Sequence, residues 1–215
     1  MKTTLIFVRH GESESNRAKR FTGQMDIPLT ELGRKQAQKT ADYLRSVPLT
    51  AIYSSDLCRA MQTAEPTARI HGLPIRPDAE LRELHCGKWE GVAYDTVAEL
   101  YPEDMATWND HFGNARPTGG ESIPELADRV SRAVEKIVRE NVGGCVAVFG
   151  HGAGLRVLRC RWLGLPLSES ANRANWAANA SVSMVEYDEA FRPELRLFGY
   201  DEHLAGMSTT LTTKI

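Results

Sequence analysis

The chain has 215 residues, 42% of them hydrophobic and 25% charged, with a formal net charge of -2. That length and balance suit one globular domain with a substantial core, and exclude a chain too polar to fold. The faint acidity excludes bulk attraction to nucleic acid or to an anionic membrane, so any anionic ligand must be held by local cations.

In chain order, Thr4 to Val8 forms a predicted buried strand that ends in Arg9-His10-Gly11. Thr30 then caps a predicted helix in which Glu31 favours the positive end and Leu32, Ala37, Ala41 and Leu44 share one side, stopping near Pro48. A short strand, Ala51-Ile52-Tyr53, runs into Ser54-Ser55-Asp56, expected to cap a helix that carries Arg59 and Thr63. Residues 85–120 break the β/α rhythm, with a helix expected over Tyr94 to Trp108 and loops from Gly113 to Gly120; this stretch reads as a mainly helical insertion over the sheet's ligand end. Ser122 and Glu125 have capping-box spacing before a helix whose apolar face is Ile123, Leu126, Val130, Val134 and Ile137, ended by Gly143-Gly144. Cys145 to Phe149 is a second buried strand ending in Gly150-His151-Gly152, followed by a helix from Ala153 to Leu163 that closes at Gly164. Ser181 to Tyr187 and Glu194 to Gly199 are shorter, more polar strands of the kind expected at a sheet edge, and the tail, 207–215, reads either as unstructured or as a cover over the site.

No apolar run is long enough to span a bilayer, and the one near the N-terminus is too short for a secretory leader. Cys58, Cys86, Cys145 and Cys160 form no Cys-x-x-Cys pair and read as reduced thiols, so the expected compartment is the cytoplasm. The alternation of elements predicts an α/β fold with a mostly parallel sheet between helical layers, as one domain over 1–215. If the strands before Arg9, Ser54 and Gly150 are parallel neighbours, their C-terminal ends bring Arg9, His10, Arg59 and His151 together, where open α/β sheets bind ligands. Arginine's planar fork suits phosphate oxygens, and helix N-termini add oriented N–H groups.

Four blocks carry a resemblance: Arg9-His10-Gly11-Glu12-Ser13 with Asn16; Asp26-Ile27-Pro28-Leu29-Thr30; Ser54-Ser55-Asp56-Leu57 continuing through Arg59 and Thr63-Ala64; and Gly150-His151-Gly152. In this order they resemble the histidine phosphatase superfamily, the phosphoglycerate-mutase-like proteins, over nearly the whole chain. The resemblance implies a three-layer α/β/α sandwich and a role for each residue. His10 matches the nucleophile that becomes phosphohistidine, since imidazole is nucleophilic while neutral near pH 7. Arg9, Arg59 and His151 match the clamp on the equatorial oxygens, Asn16 an added neutral donor, and Thr22, Gly23 and Gly152 further phosphate- or substrate-binding positions. Glu83 matches the acid that protonates the leaving alkoxide and then activates water. Neither a metal nor another cofactor is implied, and the partner is a small phosphomonoester; a homodimer stays open.

Blander readings stand beside these. Glu83, close to Glu80, has the character of a solvated carboxylate, and Trp89 and Trp108 that of packing residues. His71 reads as a loop histidine, and His85, His111 and His203 as structural or solvent-facing, two of them within reach of the pocket mouth. Gly150, Gly152 and Gly154 after a strand hint at a dinucleotide fingerprint, but the spacing is wrong and the motif comes late. The histidines lack the pairings of a metallohydrolase. A non-catalytic phosphate-binding relative is disfavoured because every expected position is filled. Between phosphatase and cofactor-dependent phosphoglycerate mutase, Lys88 to Thr118 holds two basic residues, Lys88 and Arg116, against six acids, which speaks against a second phosphate site. The chain is therefore expected to be a phosphatase, with phosphoserine or 3-phosphoglycerate among its expected substrates, or with broad specificity.

Overall fold

The computed structural model describes residues 1–172 and 176–207, so the tail from 208 onward lies outside the described residues. Its centre is a six-stranded sheet. β1 (Thr3–Arg9), β2 (Ala51–Ser54), β3 (Ile75–Pro77) and β4 (Cys145–Gly150) run parallel, β5 (Val182–Tyr187) pairs antiparallel with β1, and β6 (Pro193–Tyr200) pairs antiparallel with β5, in the order β3-β2-β4-β1-β5-β6. Because successive side chains in a strand point to opposite faces, the apolar run of β1 feeds two cores. Leu5 and Phe7 pack with α6 (Ile123–Glu140) and α7 (Gly152–Leu163) on one side. Ile6 and Val8 pack with residues of α2 (Glu31–Leu44) and α3 (Cys58–His71) on the other. Helices on both faces make the expected three-layer sandwich.

The helices begin where the sequence signals them. Thr30 Oγ1 accepts the Gly33 N–H at 2.9 Å, and Ser122 and Glu125 complete a reciprocal capping box. All five apolar positions read on α6 are buried. α3 differs from expectation: its N-cap is Leu57, without a side-chain cap. Ser55 is engaged instead by His151, and Asp26 reaches across to accept the Cys58 N–H at 2.6 Å. The 94–108 stretch is two helices, α4 (Tyr94–Leu100) and α5 (Pro102–Asp110), because Pro102 can start a helix but not continue one. With the 3₁₀ turns Gly87–Trp89 and Phe112–Asn114 they form the helical cover, whose Trp89, Val97, Met105 and Phe112 are continuous with the α6–α7 core. β5 is not an edge strand: β6 lies outside it, and buried Ser183 accepts the Gly199 N–H at 3.0 Å. Among the described residues no helix is long and apolar enough to cross a membrane, and all four cysteines are free.

The chain leaving β1 enters the short helix α1 (Glu14–Arg17) and is wedged against α2. Thr30 N–H donates to the Glu12 carbonyl at 2.9 Å, and Gln36 accepts the Glu12 N–H at 2.8 Å. A Cβ on Gly33 would stand 2.1 Å from the Glu12 carbonyl oxygen, and one on Gly11 2.5 Å from that of Gly33. Two glycines thus let the strand tip seat on the helix. Alanine in place of a helical glycine ordinarily stabilises by up to about 1 kcal/mol. Here Gly33→Ala is expected to lose about 1–3 kcal/mol through overpacking. A lower urea midpoint at unchanged slope is the expected result; an unchanged or higher midpoint would contradict the contact.

Candidate active site

Register brings the two histidine motifs side by side. Arg9 is the partner of Gly150, and the His10 N–H donates to the Gly150 carbonyl at 2.9 Å. The His10 and His151 rings then lie 5.2 Å apart between centroids, both buried. His10 Nδ1 is 2.7 Å from the Gly11 carbonyl oxygen. A carbonyl only accepts, so Nδ1 carries the proton and Nε2 keeps its lone pair. His151 Nε2 meets Ser55 Oγ at 2.8 Å, and its Nδ1 is buried with no partner among the described residues. With the Ser55 hydroxyl donating to Nε2, Nδ1 holds the proton and is a donor.

Two buried arginines flank this pair. Arg59, fully buried near the start of α3, donates from Nη1 to the Met25 carbonyl and from Nη2 to the Gly23 carbonyl, both at 2.8 Å. Arg9 donates from Nη1 to the Ala177 carbonyl at 2.6 Å. Each guanidinium therefore has carbonyl partners and no carboxylate bridge, and each Nε is buried without an acceptor among the described residues. A Cβ on Gly152 would come within 3.3 Å of Arg9 Nε, so the bare glycine leaves that guanidinium its room. Gly23 sits at φ +52°, and a Cβ there would meet the Glu90 carboxylate at 2.1 Å. Only glycine suits that turn.

Asn16 Oδ1 accepts from the Ser13 N–H, the Ser13 hydroxyl and Asn179 Nδ2 at 3.0–3.2 Å, which turns its amide into a donor toward the cleft. Glu83 Oε1 accepts the Leu84 N–H at 2.9 Å, and Oε2 the Ala153 N–H at 3.4 Å in the first turn of α7. Arg129 fixes the backbone behind it, donating to the carbonyls of Glu80, Arg82 and Glu83 at 2.7, 3.0 and 3.2 Å. Arg9, His10, Asn16, Thr22, Gly23, Arg59, Glu83 and Gly152 all line one open cleft of about 120 Å³, with His151 against His10 just behind.

Residues 5–199 match the model of the histidine phosphatase superfamily (branch 1). The chain belongs to that superfamily. It is 34% identical over 196 residues to phosphoserine phosphatase 1 of Hydrogenobacter thermophilus, covering 90% of each chain. It is 37% identical over 190 residues to a probable phosphoglycerate mutase of Citrobacter koseri, covering 86% of each. The solved structure of a mycobacterial glucosyl-3-phosphoglycerate phosphatase superposes with a TM-score of 0.85 at 29% identity, over 94% of this chain and all of that one.

Within this superfamily member, several cleft residues escaped the motif reading: Arg20, Tyr94, Arg156 and Trp176. Arg156 had a signal, a single charge inside the apolar run Leu155-Arg156-Val157-Leu158. The charge balance over 88–118 was a poor gauge of the cleft, because neither Lys88 nor Arg116 lines it and its extra cations come from elsewhere. None of His85, His111 and His203 lines the cleft. His203 instead stacks on Tyr43 and Tyr200 and contacts Thr40 Oγ1 and the Ala180 carbonyl. Trp89 is core, whereas Trp108 both packs on it and lines the cleft. Cys86 is a buried wall residue whose thiol is pushed well up, first by burial and then by Glu83, so it stays protonated.

Burial, followed by Arg59 and Arg9, drives the His10 imidazole well below its ordinary range. Burial, Arg59 and His10 do the same to His151, and burial lowers both Arg9 and Arg59. His10 is thereby held neutral, the state in which an imidazole nitrogen keeps its lone pair. In the unfolded chain these histidines titrate near 6.5, above their folded values, so below about pH 6.5 the unfolded state binds more protons. Their stabilising contribution is complete above that pH and falls away as pH drops toward the folded values. Imidazole NMR is expected to show both rings still neutral at pH 6; a His10 midpoint at or above 6.5 would contradict the electrostatics.

Proposed function

We propose that the chain is a phosphomonoester hydrolase that works through a phosphohistidine on a small phosphorylated metabolite, with His10, Arg9, Arg59, His151 and Glu83 as its catalytic residues. The observation that carries this reading is the trio of buried nitrogens without a partner among the described residues, Arg9 Nε, Arg59 Nε and His151 Nδ1, beside a histidine whose Nε2 keeps its lone pair. Buried polar groups without partners are rare and costly. An anion bearing several oxygens would satisfy all three at once.

In the first half-reaction His10 Nε2 attacks phosphorus in line, the bond to the leaving oxygen breaks, and Glu83 gives that oxygen a proton. In this reading charge spreads over the equatorial oxygens, and the two arginines, His151 and the Asn16 amide are the donors that stabilise it. In the second, Glu83 takes a proton from water, the water oxygen bonds to phosphorus, and the bond to Nε2 breaks, releasing phosphate and restoring both residues. Thr22, Gly23 and Gly152 shape the phosphate's seat. Among the described residues no three His, Cys, Asp or Glu side chains group as metal ligands, and positive charge in this scheme comes from the arginines. We read residues 1–215 as one cytoplasmic domain with 85–120 as its cap, a reading supported by the core that runs from sheet to cap.

The phosphatase relatives support hydrolysis, and the small cleft fits a leaving group the size of serine or glycerate. A mutase is the second reading, favoured by the mutase-named relative and by two cleft arginines beyond the clamp. It requires interconversion of 2- and 3-phosphoglycerate dependent on the 2,3-bisphosphate, which the hydrolase reading does not.

His10→Ala is expected to lower turnover by about 10⁴-fold or more and to abolish acid-labile labelling of the protein by substrate phosphate. Label persisting on another residue would displace His10 from its role. For Glu83→Gln, the expected loss is about 10²–10³-fold with poor leaving groups but under about 10-fold with p-nitrophenyl phosphate, whose phenolate needs little protonation. Equal losses on both would remove Glu83 as the acid.

A further inference from the structure

Arg156 is a buried cation to which the phosphoryl-transfer scheme gives no work. It sits on α7, 7% exposed, and lines the cleft. Its Nε and Nη2 both donate to the Ser170 carbonyl, at 2.9 and 2.8 Å, which occupies one edge of the guanidinium. Its faces are covered by the Phe112 ring at 3.6 Å and the Trp176 ring at 4.4 Å. The outer edge, formed by Nη1 and the second Nη2 hydrogen, has no acceptor among the described residues. Stacking and the Ser170 carbonyl therefore lock the plane and leave one bidentate edge for a ligand.

Its position relative to the acid is set by α7. Ala153 N–H donates to Glu83, and Arg156 stands three residues further along, on the same face of the helix. Helical side chains lean toward the N-terminus, so the Arg156 guanidinium reaches back over the first turn of α7. It lies in the same cleft as Glu83, close enough for their charges to interact, and a group it holds stands beside the oxygen that Glu83 would protonate. We propose that the free edge of Arg156 recognises a carboxylate on the leaving alcohol, two or three bonds from the ester oxygen. This rests on the phosphatase reading above and names its substrate class: phosphorylated hydroxy or amino acids.

A carboxylate fits better than a second phosphate. One flat edge matches one carboxylate fork to fork. The cleft's other spare cation, Arg20, is exposed and has Nη1 committed to the Gly91 carbonyl at 2.7 Å. Burial also pushes the Arg156 guanidinium down to about 9, a cost that a bound carboxylate relieves.

The test compares substrates that differ only in the carboxylate: 3-phosphoglycerate against glycerol 3-phosphate, and phosphoserine against phosphoethanolamine, with propane-1,3-diyl bisphosphate as the phosphate arm. The wild-type enzyme is expected to favour each acid by about 100-fold or more in kcat/KM, because a site built around a polar group rejects the analogue lacking it. Arg156→Met is expected to collapse each ratio to within about threefold, mainly through KM of the acids, with Arg156→Lys intermediate. Wild-type enzyme that does not discriminate would overturn the proposal, and that measurement needs no variant to fold. So would an Arg156→Met enzyme that loses both members of a pair alike, the mark of a merely structural arginine, or a preference for the bisphosphate. Failure of the phosphatase reading is distinct: the wild-type enzyme would then turn over none of these esters, nor p-nitrophenyl phosphate.

Discussion

The parallel pairing of β1 with β4 is the constraint from which the site follows. One register, Arg9 opposite Gly150, brings together two histidines 141 positions apart in the chain and puts their rings 5.2 Å apart. A one-residue slip would turn every side chain of β1 to the other face and carry the Leu5–Phe7 set out of the α6–α7 core. The two cores on either side of β1 therefore specify the site's geometry as strongly as they specify the fold. The wedge of Gly11 against Gly33 completes the constraint, since it sets where the chain leaves the strand.

Electrostatically the site is held away from its own optimum. Two arginines and two imidazoles are buried within a chain of net charge -2, and among the described residues none of the four has a carboxylate bridge. Backbone carbonyls hold the guanidinium planes, so the donors are aimed before any ligand arrives. The cost is loss of stability on acidification; the return is a neutral imidazole at His10 beside uncompensated positive charge. Glu83 is positioned in a different way, by backbone N–H groups at its carboxylate and by Arg129 at the carbonyls behind it. Its carboxylate thus keeps its geometry with no cation bonded to its oxygens among the described residues.

The layers, the helix starts at Thr30 and Ser122, and the strand tips were legible in the sequence because each depends on a local signal of period or capping. The convergence of Arg9, His10, Arg59 and His151 was legible through the strand tips and the four motif blocks. What was not legible depends on contacts between distant segments. Ser55 could not be read as a support for His151, because its place before a helix made it look like a cap. β3, three residues ending in proline, is too short to carry a period. The cleft's charge was misjudged over 88–118, because Arg20 and Arg156 enter it from a loop and from α7. Arg156 was visible as a charge in an apolar run, but only the fold shows that its faces are stacked and one edge is left open.

The central claim is that phosphate passes through His10 on its way to water, and the stereochemical course at phosphorus tests that most directly. Hydrolysis of an isotopically chiral phosphate monoester through a histidine intermediate involves two in-line displacements, each inverting the centre. The account predicts net retention of configuration. Net inversion, the signature of a single attack by water, would contradict it.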